Sequence, residues 1–217
     1  MATEKFSTET GVYQETRNSL TERIIDGWRD MRGSTRRLIG ENPSEPRLLF
    51  YVLLSDMVFF LSWSIKTVIA PNSGAAAIIP LKIGLYLIVA LMARTATMYV
   101  FSGVLGAALR LLGGTGSWKE TRTGVFWGAL VSAPFGLLAA LLTVSMSVLE
   151  PTFPALRDPW IALPPYWIGI VPFVWFVSAG VAEAHGFRRV SLIFMCLSVL
   201  AVFAVFTGMY LRANGII

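Results

Sequence analysis

Thr123 to Leu149 reads TGVFWGALVSAPFGLLAALLTVSMSVL, a run of 27 residues without an Asp, Glu, Lys or Arg. A helix needs roughly 20 mainly apolar residues to cross a hydrocarbon core of ~30 Å, so this stretch is long enough to span a bilayer. Four more stretches meet the same test: Leu48 to Ala70, Leu81 to Leu112, Tyr166 to Ala184 and Val190 to Leu211. Turn chemistry separates them, in the form of Pro71-Asn72-Ser73-Gly74, Gly113-Gly114-Thr115-Gly116, a segment holding Pro151, Pro154, Pro159, Pro164 and Pro165, and Gly186. The expected fold is all-α, a polytopic membrane helical bundle with five transmembrane helices. The second stretch is long for one crossing and is expected to tilt or to extend past the headgroups.

Composition agrees with a membrane protein. Hydrophobic residues make up 55% of the 217-residue chain, charged residues 14%, and the mean hydropathy is +0.64. These values exclude a water-soluble fold. The net charge of +5 does not mark a nucleic-acid surface, because residues 1–47 hold eight basic and eight acidic side chains that cancel. The excess lies in the apolar part of the chain and encodes orientation. With the N-terminus inside, the cytoplasmic side collects the eight tail cations together with Arg110, Lys119, Arg122, Arg188 and Arg189. Lys66, Lys82, Arg157 and Arg212 fall on the other side, and Arg94 stays at depth. Basic loops are retained in the cytoplasm, so the expected topology is N-in/C-out.

Residues 1–46 are expected to form a cytoplasmic tail and residues 47–217 the five-helix domain. Met1 to Asn18 lacks the basic start and short apolar core of a cleavable signal, so the tail is expected to be retained. Within it Leu20, Ile24, Trp28, Met31, Thr35 and Leu38 recur at spacings of three and four, which predicts an amphipathic interfacial helix over about residues 19–39. That helix either lies on lipid or caps the end of the bundle. Asn42-Pro43-Ser44-Glu45-Pro46 forms a stiff elbow into the first span.

Ionisable residues within spans are candidates for function by default. Asp56 and Arg94 fall at matching depths in the first two spans and are expected to form an intramembrane ion pair. The pair either fixes the packing of two helices or belongs to a polar path. Glu183 and His185, followed by Arg188 and Arg189, should make a polar cap at the inner end of the fourth span. A lone His with neither a second His nor a Cys nearby in sequence does not suggest a metal, and Cys196 is the chain's single cysteine. The glycines of the Gly113 to Lys119 segment lack the G-x-x-x-x-G-K-[ST] spacing of a phosphate loop. No catalytic residue, cofactor, metal, nucleotide or nucleic acid is therefore expected. Gly124, Gly128, Ser132, Gly136 and Ala140 recur every fourth residue, a small-residue stripe that should face a partner helix, for which Ser102 and Gly106 offer a matching face.

Two segments carry a family resemblance. Ala108 to Pro134, ALRLLGGTGSWKETRTGVFWGALVSAP, and Trp175 to Arg189, WFVSAGVAEAHGFRR, resemble the most characteristic regions of the Yip-type (Ypt/Rab-interacting) membrane proteins, bacterial branch. The resemblance implies that Gly113, Gly114, Gly116, Trp118, Pro134, Gly180, Glu183, His185 and Gly186 are structural marks. It implies a multispan protein without a known catalytic site; eukaryotic members are linked to vesicle trafficking and bind prenylated Rab GTPases. The expected function is membrane organisation, or assembly of a membrane complex in the bacterial inner membrane. The expected partners are the lipid bilayer and a membrane protein or a second copy of the chain. The alternative is a small transporter or permeability factor with a polar path around Asp56 and Arg94. An enzyme acting on lipids would have only Glu183 with His185 to work with.

Overall fold

The computed structural model describes residues 19–69, 83–162 and 164–215, and helices dominate all three segments, with no strand among the described residues. In chain order the helices are α1 (Leu20–Arg29), α2 (Met31–Gly40), α3 (Glu45–Ile69), α4 (Ile83–Leu111), α5 (Trp118–Leu149), α6 (Pro159–Ala162), α7 (Pro164–Ala184) and α8 (Val190–Ala213), with a 3-10 turn at Pro154–Arg157 before α6. Five of them, α3, α4, α5, α7 and α8, are long and apolar enough to cross a membrane. The first-hairpin turn Pro71-Asn72-Ser73-Gly74 and Lys82 lie outside the described residues.

The centre of the bundle is the α5–α7 pair. Of the most apolar window in each helix, 56% is buried for α5 and 50% for α7, against 11% for α4 and 12% for α8, so the last two are peripheral. Their outward faces carry large apolar side chains, among them Met92, Val100, Val104, Leu192, Met195 and Phe203, the inverse of a soluble surface. Glycine permits the central contact. A Cβ placed on Gly180 would lie 2.6 Å from the Gly124 carbonyl oxygen, and one on Gly128 would lie 2.9 Å from the Val177 backbone. Close backbone approach of this kind is how helices associate where lipid removes the hydrophobic driving force.

The small-residue stripe thus meets α7 through Gly124 and Gly128, and Gly106 of α4 is not its counterpart. Gly106 packs instead on Thr121 and Trp118 at the start of α5. The stripe also divides in function. Gly124 and Gly128 form the helix contact, whereas Ser132 and Gly136 line a cavity, and a Cβ on Gly136 would meet nothing within 4 Å. Ala140 is fully buried.

The described part of the tail forms two helices where the apolar spacing predicts one. Asp30 breaks the run with a non-helical backbone, capping α1 with its amide and α2 with its side chain, whose Oδ1 accepts from the Gly33 amide at 2.9 Å. Asp is a strong N-cap former, and its local hydrogen bond competes with continued helix. The apolar face of these helices packs against protein. Met31, Thr35 and Leu38 are buried, Leu20 and Ile24 lean on the core, and Trp127 of α5 donates its indole N–H to Ser34 at 3.0 Å. Trp28 donates to the Val131 carbonyl at 2.8 Å and stacks edge-on against Phe135. That carbonyl neighbours Leu130, whose ordinary helical donor is missing because Pro134 has no N–H.

The elbow follows from its residues. Asn42 sits in the left-handed region at φ 49°, which Asn tolerates better than most side chains, and α3 starts at Glu45, three residues before the expected Leu48. Lys119 binds Asn42 at 2.6 Å and Arg122 pairs with Glu45, so the start of α5 holds the elbow in place.

Candidate functional site

The two segments that carry the family resemblance meet at one end of the bundle, where α4 and α7 stop and α5 begins. Both helices end in the same way. Gly113, at φ +90°, donates to the Arg110 carbonyl while Gly114 donates to Leu109; Gly186, at φ +72°, donates to Glu183 while Phe187 donates to Ala182. Each is a Schellman motif, which ties up carbonyls left open at a helix end and needs a left-handed residue that glycine supplies without strain. A Cβ on Gly116 would lie 2.5 Å from the Ala184 carbonyl oxygen, and one on Gly114 would lie 2.6 Å from Nδ1 of His185. The glycines of the turn therefore make room for the end of α7. Ser117 and Glu120 then form a reciprocal capping box that starts α5.

His185 is buried in this junction. Its Nε2 lies 2.9 Å from the Thr121 hydroxyl, which donates its own proton to the Ser117 carbonyl at 2.9 Å. With the Thr121 proton directed at Ser117, the Nε2–H tautomer of His185 is the one that completes the His–Thr contact. Nδ1 is buried with no hydrogen-bond partner among the described residues. Burial, together with the positive charge of Arg110, holds His185 below the usual imidazole range, and Glu120 opposes the shift. Arg110 itself donates to the Gly116 carbonyl at 3.0 Å and stacks over Trp118, 4.1 Å from the ring centre.

Glu183 is compensated by α2, not by Arg188 and Arg189 as sequence proximity suggests. Arg32 Nε reaches Oε2 at 2.8 Å and Arg36 Nε reaches Oε1 at 2.6 Å, so each carboxylate oxygen has its own guanidinium. Arg32 also donates to the carbonyls of Phe187 and Arg188, at 3.0 Å each, and so clamps the chain that leaves α7. The Arg188 and Arg189 side chains are exposed, and neither pairs with a carboxylate among the described residues. Glu183 and His185 thus serve different partners and do not form an acid–base pair. Among the described residues no group of three His, Cys, Asp or Glu side chains is placed to hold a metal.

A second polar cluster lies deeper in the bundle. Asp56 of α3, fully buried, pairs through Oδ1 with Arg94 of α4 and accepts from the Thr95 hydroxyl at 2.6 Å through Oδ2. Arg94 stacks over Phe59, 4.3 Å from the ring centre, and reaches the wall of a cavity of about 600 Å³ bounded by α3, α4, α5, α7 and α8.

Sequence reasoning missed Arg32, Arg36, Thr95 and Thr121. The basic pair was detectable, since a spacing of four residues puts both guanidiniums on one face of α2. Which carboxylate they serve depends on a contact that spans about 150 residues of sequence and leaves no local trace.

No protein of curated function and no solved structure matches the chain. The Yip1 domain matches residues 28–210, from Trp28 of α1 into the last long helix, so the tail helix that carries Arg32 and Arg36 is included. The chain, an integral membrane protein built on five apolar helices, belongs to the Yip1 domain family.

Proposed function

We propose that this protein is a non-catalytic organiser of a membrane complex, a scaffold or assembly partner in the bacterial inner membrane. Its N-terminus and its Gly113–Gly114 turn lie in the cytoplasm. The observation that carries the reading is that the polar groups suited to catalysis or transport already engage one another in two clusters with no shared residue. Asp56 is taken by Arg94 and Thr95, Glu183 by Arg32 and Arg36, and His185 by Thr121. The orientation is supported by the gathering of Arg32, Arg36, Arg110, Lys119 and Arg122 at one end of the bundle, where they hold α2, the elbow and the two helix ends.

Affinity purification in mild detergent tests this function, and the expected result is a stoichiometric membrane-protein partner or a defined homo-oligomer. The competing reading is a small transporter or permeability factor, and the cavity beside Arg94 favours it. Reconstitution into liposomes separates the two. Solute flux that Arg94→Leu abolishes while assembly stays intact would overturn the scaffold.

A further inference from the structure

We propose that the 600 Å³ cavity binds one anionic glycerophospholipid, with an acyl chain in the slot and the phosphate at Lys66. This goes beyond the scaffold reading and does not depend on it. The cavity runs between the α3 face from Ser55 to Lys66 and the α7 face from Tyr166 to Val177. Eleven residues at 1.5 Å each give a depth of about 16 Å, close to half of a ~30 Å hydrocarbon core and so to the reach of one leaflet's chain.

Its chemistry selects the occupant. The wall is mainly apolar, and two of its serine hydroxyls are turned back on their own helices, Ser62 to the Val58 carbonyl and Ser132 to the Ala129 carbonyl, at 2.8 Å each. Hydroxyls bonded in this way offer little to a hydrated solute. Among the described residues, two cations and no carboxylate line the space. Arg94, the deeper one, is neutralised by Asp56. Lys66, near the end of α3, rests over the Tyr166 ring at 5.6 Å and has no ion-pair partner among the described residues. An apolar slot with one uncompensated cation at its rim complements a lipid whose anionic head follows its chain.

Native mass spectrometry of the full chain, released from micelles holding equal amounts of dioleoyl phosphatidylglycerol and dioleoyl phosphatidylcholine, tests the proposal. One retained phosphatidylglycerol is expected, favoured over phosphatidylcholine about fivefold, the effect of one cation near an anionic headgroup. Lys66→Gln should abolish the preference and Lys66→Arg should keep it. Gly136→Leu should displace both lipids, because that position has open space for the added side chain. Equal retention of the two lipids by the wild type, or an undiminished preference in Lys66→Gln, would overturn the proposal. So would a Gly136→Leu protein that keeps its helical circular dichroism and its lipid, or a lipid-free dimer that Gly136→Leu converts to monomer. Should Gly136→Leu fail to fold, the two Lys66 variants decide the matter.

Discussion

His185 Nε2 lies 2.9 Å from the Thr121 hydroxyl, which also reaches the Ser117 carbonyl at 2.9 Å, so the end of α7 is tied to the first turn of α5 through one imidazole. The contact joins the two sequence segments that mark the family.

Burial holds His185 below the usual imidazole range, so the fold favours the neutral ring. The stability this contributes is fully present above the unfolded-state value of ~6.5 and is lost as pH falls from there through the lowered folded value, because the unfolded chain then binds the proton first. Thermal unfolding in detergent should show a lower midpoint at about pH 5.5 than at about pH 7.5, and His185→Gln should flatten that difference. Thr121→Val leaves the buried Nε2 without its hydrogen-bond partner and should destabilise the protein by about 1–3 kcal/mol at neutral pH. A pH profile that is the same with and without His185 would remove the imidazole from this role.

The two guanidiniums on Glu183 should not be equivalent. Arg32 is the less exposed and also holds two carbonyls beyond α7, whereas the Arg36 side chain is 71% exposed. Arg32→Ala should cost about 2–3 kcal/mol and speed proteolytic release of the tail, since it removes several charge-assisted bonds at a largely buried carboxylate. Arg36→Ala should change either readout little, as expected for an exposed ion pair. The reverse order would contradict the clamp.

Between α5 and α7, glycine matters at one level of the pair and not at another. A methyl group at Gly180 would have to displace the Gly124 backbone, so Gly180→Ala should cost about 1–3 kcal/mol, the usual penalty of overpacking. Gly136→Ala points into open space and should stay within about 0.5 kcal/mol of the wild type. Midpoints of thermal unfolding compare the two directly.

The Asp56–Arg94 pair calls for a double-mutant cycle. Asp56→Asn leaves a cation facing a largely apolar interior and should cost about 3–5 kcal/mol. Adding Arg94→Gln should recover part of that loss, with a coupling of about 0.5–3 kcal/mol. If the second change relieves none of the defect of the first, the two side chains do not act as a pair.

Much of the architecture was legible in the chain alone. Five apolar runs near the thickness of a bilayer, separated by Gly and Pro, specify the spanning helices, because backbone polar groups in hydrocarbon must bond within their own helix. Gly113 and Gly186 mark helix ends, since the chemistry of a turn is local. The matched depths of Asp56 and Arg94 follow from a fixed rise per residue. Other features were set only by tertiary contact. The stripe on α5 shows that some helix comes close but not that it is α7, and only packing leaves Gly136 facing a cavity. The Glu183 carboxylate looked as though it belonged to its sequence neighbours Arg188 and Arg189, yet α2 reaches it first. Periodicity and capping act over a few residues and can be read along the chain, whereas the partner of a charge is whichever group the folded bundle brings within reach.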